Sequence, residues 1–473
     1  MSTDLISVLI VGGGLSGTLT AIHLLRSTRG QSTGVTLLNP TPEFGRGLAY
    51  RSNDDNLLLN VPAGNMSAFA DAPSHFVDFC RHIDPSINTG SFVSRRLYGR
   101  YLEQCLQEAV AEHPGRLQVL VDEAHEIHAL PVNGRFTVRL ASGQCLKTKQ
   151  VILALGHQLP RFPLSLSPAQ RPSVIEAWDF DSMNRLPADS PVLILGTGHT
   201  AVDALFHLTQ QAQPRTVWMV SRHGLLPHPH RPNPNPPPGS QYPAYVGKGQ
   251  LHVRSLMRQL RQEVERQISM GSDWRDVLNQ LRPHTPRLWQ ALASGEQRRF
   301  LRHVVPFWDI HRHRLAPLAA DRLQSLLMTG HVHVIAARLL AIRNAKTNGL
   351  EIEFRPRHQQ ISETLNAAAI INCTGPSMAI DQDSHPLLQH LAKNKLLTPA
   401  PCGLGLMVND KYQLTDIQGH AIQGLWYVGP MLKARDWEAI AAPELRVHTQ
   451  KLAQELAREL ATCSIHSIQA NSV

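Results

Sequence analysis

The sequence predicts an α/β chain of two nested parallel-sheet units, the second carrying a helical insertion. Three observations lead there. A strand, a glycine turn, a helix and a strand open the chain; a second such unit starts at Pro191; and two later strands, 151–155 and 369–373, end in small-residue turns. The 473 residues are roughly three times an ordinary domain of about 100–200 residues, so more than one domain is expected.

Residues 5–11 form a short apolar, β-branched run, the pattern of a strand buried on both faces. Gly12-Gly13-Gly14-Leu15-Ser16-Gly17 follows at once, and Leu15, Leu19, Ile22 and Leu25 then recur at helical spacing. Val35–Leu38 is the next strand. In this context the glycines form a dinucleotide fingerprint, and the unit is Rossmann-like. Gly12 permits the tight turn, Gly14 lets a pyrophosphate approach the backbone, and Gly17 lets the helix pack on the strand. The helix start at Leu15 and Ser16 offers free N–H groups and a positive dipole end to the phosphates. Asn39 stands where an acidic residue usually meets the ribose hydroxyls. It can still bond a hydroxyl, without the strength a charge adds.

Val192–Leu195, then Gly196-Thr197-Gly198-His199-Thr200-Ala201, repeat the plan, with His199 at the helix start. The strand Val217–Val220 ends in Ser221-Arg222-His223 and carries no carboxylate. Arg222 suits a 2′-phosphate and would favour NADPH over NADH; the rival reading is a solvated surface arginine. Two such units in one chain suggest a division of labour, with FAD held by the first and a diffusing nicotinamide nucleotide by the second. Gly156 and Gly375 end strands returning beside each nucleotide. Leu425–Val428 is a further strand, ending at Gly429. Pro443 opens a final helix whose positive end would face the flavin pyrimidine.

Residues 224–248 hold eight prolines between Pro227 and Pro243 and read as an extended loop. Residues 251–328 are helical by pattern. The expected layout is an FAD-binding domain over 1–160 and 376–473. A nicotinamide domain over 161–375 would carry the insertion at about 224–328.

Hydrophobic residues make up 42% and charged residues 18%, which excludes a disordered polyelectrolyte, a collagen or a coiled coil. The net charge is +9. No Lys/Arg block or aromatic-interleaved basic stripe is present, so nucleic acid is not an expected partner. Many arginines instead fall between 254 and 314, suggesting a local anion site. The six cysteines are scattered and form no CxxC. That pattern fits free thiols in a cytoplasmic protein and argues against dithiol chemistry or a zinc ribbon. The chain starts directly in a strand-like segment, so no secretory leader is expected. No apolar run is long enough for a membrane span.

His303, His311 and His313, with Arg312 and Arg314, form the densest cationic group. The arginines would repel a metal ion and Asp309 is the only nearby carboxylate, so no metal is expected. A phosphate or anionic-substrate site is one reading. The plainer and favoured one is a helix end docked through Trp308 with solvated arginines. Glu438 is read either as a general base or as an ion-pair partner of Arg446, and the ion pair is the favoured reading.

Further segments carry a resemblance. They include Phe44–Tyr50, Leu58-Leu59-Asn60-Val61-Pro62, Tyr98–Tyr101, Gly196–Asp203, Ser221–Pro227, Phe307–Arg314, Ile371–Gly375 and Trp437–Arg446. Together with Gly12–Gly17, the chain resembles the bacterial FAD/NAD(P)-binding proteins related to FAD-dependent urate hydroxylase. The resemblance implies a flavoprotein reduced by NAD(P)H, in particular a monooxygenase inserting oxygen into a small organic substrate, which the anion-site reading of the arginine group would make anionic. It places the loop of Asn60, Asn65 and Met66 by the flavin ring and Arg46 near the FAD pyrophosphate. No protein nucleophile is required, and no catalytic residue is assigned. Residues 162–178 lack the Gly and His of the Baeyer–Villiger signature. The alternatives are an oxidoreductase passing electrons to an organic acceptor or partner protein, and a non-catalytic nucleotide sensor.

Overall fold

The computed structural model describes residues 6–30, 32–130, 135–210, 215–232, 241–247, 249–345 and 349–470, with the side chains of 463–470 left aside. Much of the proline-rich segment therefore lies outside the described residues.

The first part of the chain supplies β1 (Ile6–Val11), β2 (Val35–Asn39), β3 (Leu117–Val121), β4 (Ala124–Leu130), β5 (Arg135–Leu140) and β6 (Cys145–Leu153). The middle supplies β7 (Val174–Glu176), β8 (Val192–Leu195), β9 (Val217–Ser221), β10 (Val332–Asn344), β11 (Leu350–Pro356), β12 (Glu363–Ala367) and β13 (Ala369–Asn372). The chain then returns with β14 (Gln413–Thr415) and β15 (Ala421–Tyr427).

These strands form two sheets. One runs β14-β15-β6-β1-β2-β3, with β5 and β4 continuing from β6; the other runs β12-β11-β10-β9-β8-β13-β7. Each is parallel at its centre. Ile10 of β1 lies opposite Leu37 and Ile152, and Ile194 of β8 lies opposite Met219 and Ile371. Helices cover both faces of such strands, which explains their continuous apolar runs. The apolar mid-strand residues of β1, β6 and β8 are fully buried. The chain leaves β1 for β2 on one side while β6 fills the other, and β8 sits likewise between β9 and β13. Both glycine turns therefore lie at topological switch points, where open α/β sheets bind ligands.

The C-terminal helix Ala442–Ala470 packs against helix Leu15–Ser27. Leu452 and Leu456 are fully buried in that seam. In the middle region, five helices (Val253–Ser269, Trp274–Leu281, Thr285–Ala291, Ser294–His303 and Val305–Arg312) gather around a core of their own. Leu278, Trp289 and Trp308 fill it, and Trp437 enters from the C-terminal segment. Helix Pro317–Met328 belongs elsewhere. Its Ala319 and Leu323 join the core of the second sheet, because parallel β9 and β10 need a covering crossover helix. No helix among the described residues is long and apolar enough to cross a membrane.

Candidate functional site: two glycine turns and an arginine-lined cleft

The first glycine of each turn is fixed by its neighbour strand. Gly12 has φ +110°, and a Cβ there would lie 2.3 Å from the carbonyl oxygen of Ala154. Gly196 has φ +135°, and its Cβ would lie 2.3 Å from the carbonyl oxygen of Cys373. Only glycine fits such an approach in that backbone region. A Cβ on Gly17 would come within 1.8 Å of the Gly12 carbonyl oxygen, so helix and strand pack at backbone contact. The third position of the second unit is Ala201, whose methyl is fully buried.

The middle glycines are different. Gly14 would bring its Cβ only to 3.4 Å from the Gly47 Cα, and Gly198 has nothing within 4 Å. Each precedes a helix with no side-chain cap and no acidic residue in its first turn. The free N–H groups, Leu15 and Ser16 in the first unit and His199 in the second, sit at positive dipole ends. Both ends fit a phosphate.

The side chains around the first turn are occupied within the protein. Asn39 Oδ1 accepts from Gly13 N at 3.0 Å, and Nδ2 donates to the Thr41 carbonyl oxygen at 2.8 Å. Its amide ties the glycine turn to the end of β2. Arg46, expected near the pyrophosphate, donates Nε and Nη2 to Glu103 at 2.5 and 2.7 Å. Gly156 (φ +70°) follows β6, and Gly429 (φ +145°) follows β15 beside it. Pro443 is the second residue of the C-terminal helix. Three strand-like hydrogen bonds (Leu59 to Val93, Ala63 to Ser91, Gly64 to Thr89) fasten the Asn60 loop. His230 Nε2 donates to the Asn60 carbonyl oxygen at 3.0 Å.

In the second unit, Ser221 Oγ accepts from Gly224 N and donates to Thr197 Oγ1, both at 3.0 Å, and so shapes the strand end, while Thr197 donates to the Leu225 carbonyl oxygen at 2.6 Å. Arg222 is exposed. Arg357 stands close by, its Nη1 2.8 Å from His223 Nδ1. Sheet pairing brings it there from far along the chain, so only the strand order could have revealed it. Gly375 (φ +90°) follows β13 with open space around it. His199 Nε2 donates to the His313 carbonyl oxygen at 3.0 Å. Burial pushes its pKa down to about 4, so the ring is neutral at pH 7.

That bond leads into a cleft. The Asn60 loop, Thr89 and Ala441 line it together with His230, Asn279, Arg282, Arg312, His313 and Arg314. The expectation of solvated arginines is corrected here: Arg312 and Arg314 are 8% and 3% exposed. Trp308 is docked as expected, but the chain beyond it folds inward to the cleft. The partner of Glu438 is also corrected. It pairs with Arg312 at 2.7 Å, whereas Arg446 donates to the Ser67 carbonyl oxygen at 3.0 Å. His303 is exposed. The Asp309 side chain is half-exposed, and desolvation on its inner side pushes its carboxyl up to about 6.

Comparison with known proteins accords with this geometry. Residues 9–158 match the FAD-NAD(P)-binding family. No curated protein matches the sequence. Solved structures share the whole architecture. The ornithine hydroxylase of Pseudomonas aeruginosa is 15% identical, with TM-score 0.65 over 96% of this chain and 100% of its own. The L-lysine 6-monooxygenase of Pseudomonas syringae is 16% identical, with TM-score 0.66 over 96% and 99%. The ornithine N-hydroxylase of Kutzneria sp. 744, in complex with reduced FAD, NADP+ and L-ornithine, is 12% identical, with TM-score 0.66 over 96% and 100%. The fold is the Rossmann-like α/β fold of FAD/NAD(P)-binding flavoproteins.

Proposed function

We propose that this chain is an FAD-dependent, NAD(P)H-using monooxygenase that hydroxylates a small, anionic organic molecule. One observation carries the reading: two glycine turns at switch points, each with an uncapped helix start, the second joined through His199 to an arginine-lined cleft. The names of the three similar structures support it, since all are hydroxylases or monooxygenases of small molecules. The segments Phe307–Arg314 and Trp437–Arg446 support a relation to the FAD-dependent urate hydroxylases. Free thiols at Cys80, Cys105 and Cys373 accord with a cytoplasmic setting.

FAD, when bound, supplies hydride acceptance from the nicotinamide and the reaction with oxygen. The chain's part is placement. The Gly14 turn and the amides of Leu15 and Ser16 hold its pyrophosphate, with Gly156 and Gly429 leaving room beside it. The Asn60 loop and the helix start at Pro443 flank the ring. Residues 1–160 and 376–473 make up this FAD domain, and 161–375 the nicotinamide domain. Gly198, His199 and Gly375 receive the nicotinamide nucleotide, and Arg222 and Arg357 take its 2′-phosphate. Neutral His199 and His313 leave the arginines as the cations of the cleft wall. Asp309, its carboxyl pushed up to about 6, keeps its proton to a higher pH than an ordinary aspartate.

The test is an anaerobic titration of flavin-loaded protein with NADPH and then NADH, followed by visible absorption. Bleaching, faster with NADPH, is expected. Candidate substrates under labelled O2 then follow, with one labelled oxygen expected in the product. Protein that takes up no flavin, or a product free of label, refutes the reading.

A further inference from the structure

The charge balance of the cleft is uneven. Arg282 is bidentate to Glu444 at 2.7 and 2.8 Å, and Arg312 pairs with Glu438 at 2.7 Å. Just behind the wall, Arg231 pairs with Asp276 and Arg275 with Asp273. Arg314 pairs with no carboxylate among the described residues. The residue is 3% exposed, its Nη2 donates to Asn279 Oδ1 at 2.6 Å, and its Nε is buried without a partner. The Trp274 ring lies 5.6 Å from its guanidinium carbon. Burial, then Arg312, Arg275 and Arg282, lower its pKa to about 10, so it stays charged at neutral pH. His230 adds no charge, because burial and Arg314 push it down to about 3.

A buried, unpaired cation is costly, and natural proteins seldom leave one without a role. Resting on the monooxygenase reading, we infer that Arg314 is the substrate's anchor and that the substrate is a monocarboxylate. One surplus positive charge matches one negative charge. A phosphate dianion would leave the cleft overcharged. The planar guanidinium suits a carboxylate, which it can take through two parallel N–H bonds. Asn279, whose Oδ1 already serves Arg314, keeps its Nδ2 as a further donor. The Asn60 loop lines the same cleft, so an anchored molecule lies beside the proposed flavin position.

Calorimetry tests this without depending on bound flavin, so its failure is separable from failure of the monooxygenase reading. The probes are butyrate, benzoate and indole-3-acetate, each against its amide, with inorganic phosphate as a competitor. At least one acid is expected to bind saturably, at least tenfold tighter than its amide. Arg314→Gln is expected to erase that preference, and Arg314→Lys to keep it at lower affinity. The favoured acid should also raise the unfolding temperature of the wild type and leave that of Arg314→Gln unmoved. Equal affinity for acids and amides overturns the inference. So does tighter binding of phosphate than of every acid, or a preference that survives Arg314→Gln.

Discussion

Two glycines two positions apart, Gly196 and Gly198, make the sharpest test of the nucleotide-binding assignment. At Gly196 an added Cβ meets the Cys373 carbonyl oxygen at 2.3 Å and its carbon at 2.9 Å, at φ +135°. Gly196→Ala therefore combines backbone strain of about 1–3 kcal/mol with overpacking of about 1–3 kcal/mol. The sum, roughly 2–6 kcal/mol, is a large share of a typical stability of about 5–15 kcal/mol. At Gly198, with φ −82° and nothing within 4 Å, the same methyl strains nothing. Gly198→Ala should match the wild type or gain up to about 1 kcal/mol through the unfolded chain. It should nonetheless weaken NADP+ tenfold or more, about 1.4 kcal/mol, because the methyl fills the space a pyrophosphate needs. Urea unfolding reads the first effect and calorimetry with NADP+ the second. Gly198→Ala as unstable as Gly196→Ala would refute the packing argument. Unchanged NADP+ affinity would refute the binding argument.

In the first unit, Gly14→Ala should fold normally and purify with less than a tenth of the wild-type flavin, read by absorption. Arg222→Ala and Arg357→Ala should each raise the KM for NADPH about tenfold, the worth of one charge-assisted bond, and leave that for NADH within twofold. Glu438→Ala leaves buried Arg312 with only the Glu444 carboxylate, 3.9 Å away, so urea unfolding should show a loss of about 3 kcal/mol, the lower end for a broken buried pair; Glu438→Ala with Arg312→Met should recover most of it. Histidines kept neutral by burial bind protons more readily when unfolded, so their contribution to stability is complete above about pH 6.5. For His199 it should decline from there down to about pH 4, and His199→Gln, which can still donate to the His313 carbonyl, should flatten the unfolding midpoint between pH 6.5 and 5.

The fold was legible where the signal is local. Apolar runs at Val8–Val11 and Val192–Leu195, each followed by glycines, place the central strands without knowledge of their neighbours. The strands that end in small-residue turns at Gly156 and Gly375 were legible too, but not that the carbonyls of Ala154 and Cys373 press on the glycine turns. What the sequence hides is pairing at a distance. Arg357 reaches the end of β9 only because β10 and β11 carry it there. Glu438 could be read beside Arg446, eight residues on, since both flank one helix start. Its actual partner lies in an insertion that docks through Trp437 against Trp289, and no periodicity encodes that docking. Arg312 and Arg314 were misread for the same reason. Charged residues at a helix end are usually solvated, and only the closed helical insertion turns these two inward.

That insertion also explains why the cleft belongs to neither sheet alone. Its helices hang between β9 and the crossover helix Pro317–Met328, so they are anchored on the second sheet. They meet the return segment through Trp437, Glu438 and Glu444. Both carboxylates belong to the segment that starts the C-terminal helix, and both are spent on arginines of the insertion. Two ion pairs thus join the wall that would face the substrate to the helix that would face the flavin. Glu438 and Glu444 balance Arg312 and Arg282 and leave Arg314 over. The cation available to a ligand is therefore set by the docking itself: undock the insertion, and all three arginines lose the arrangement that singles one of them out.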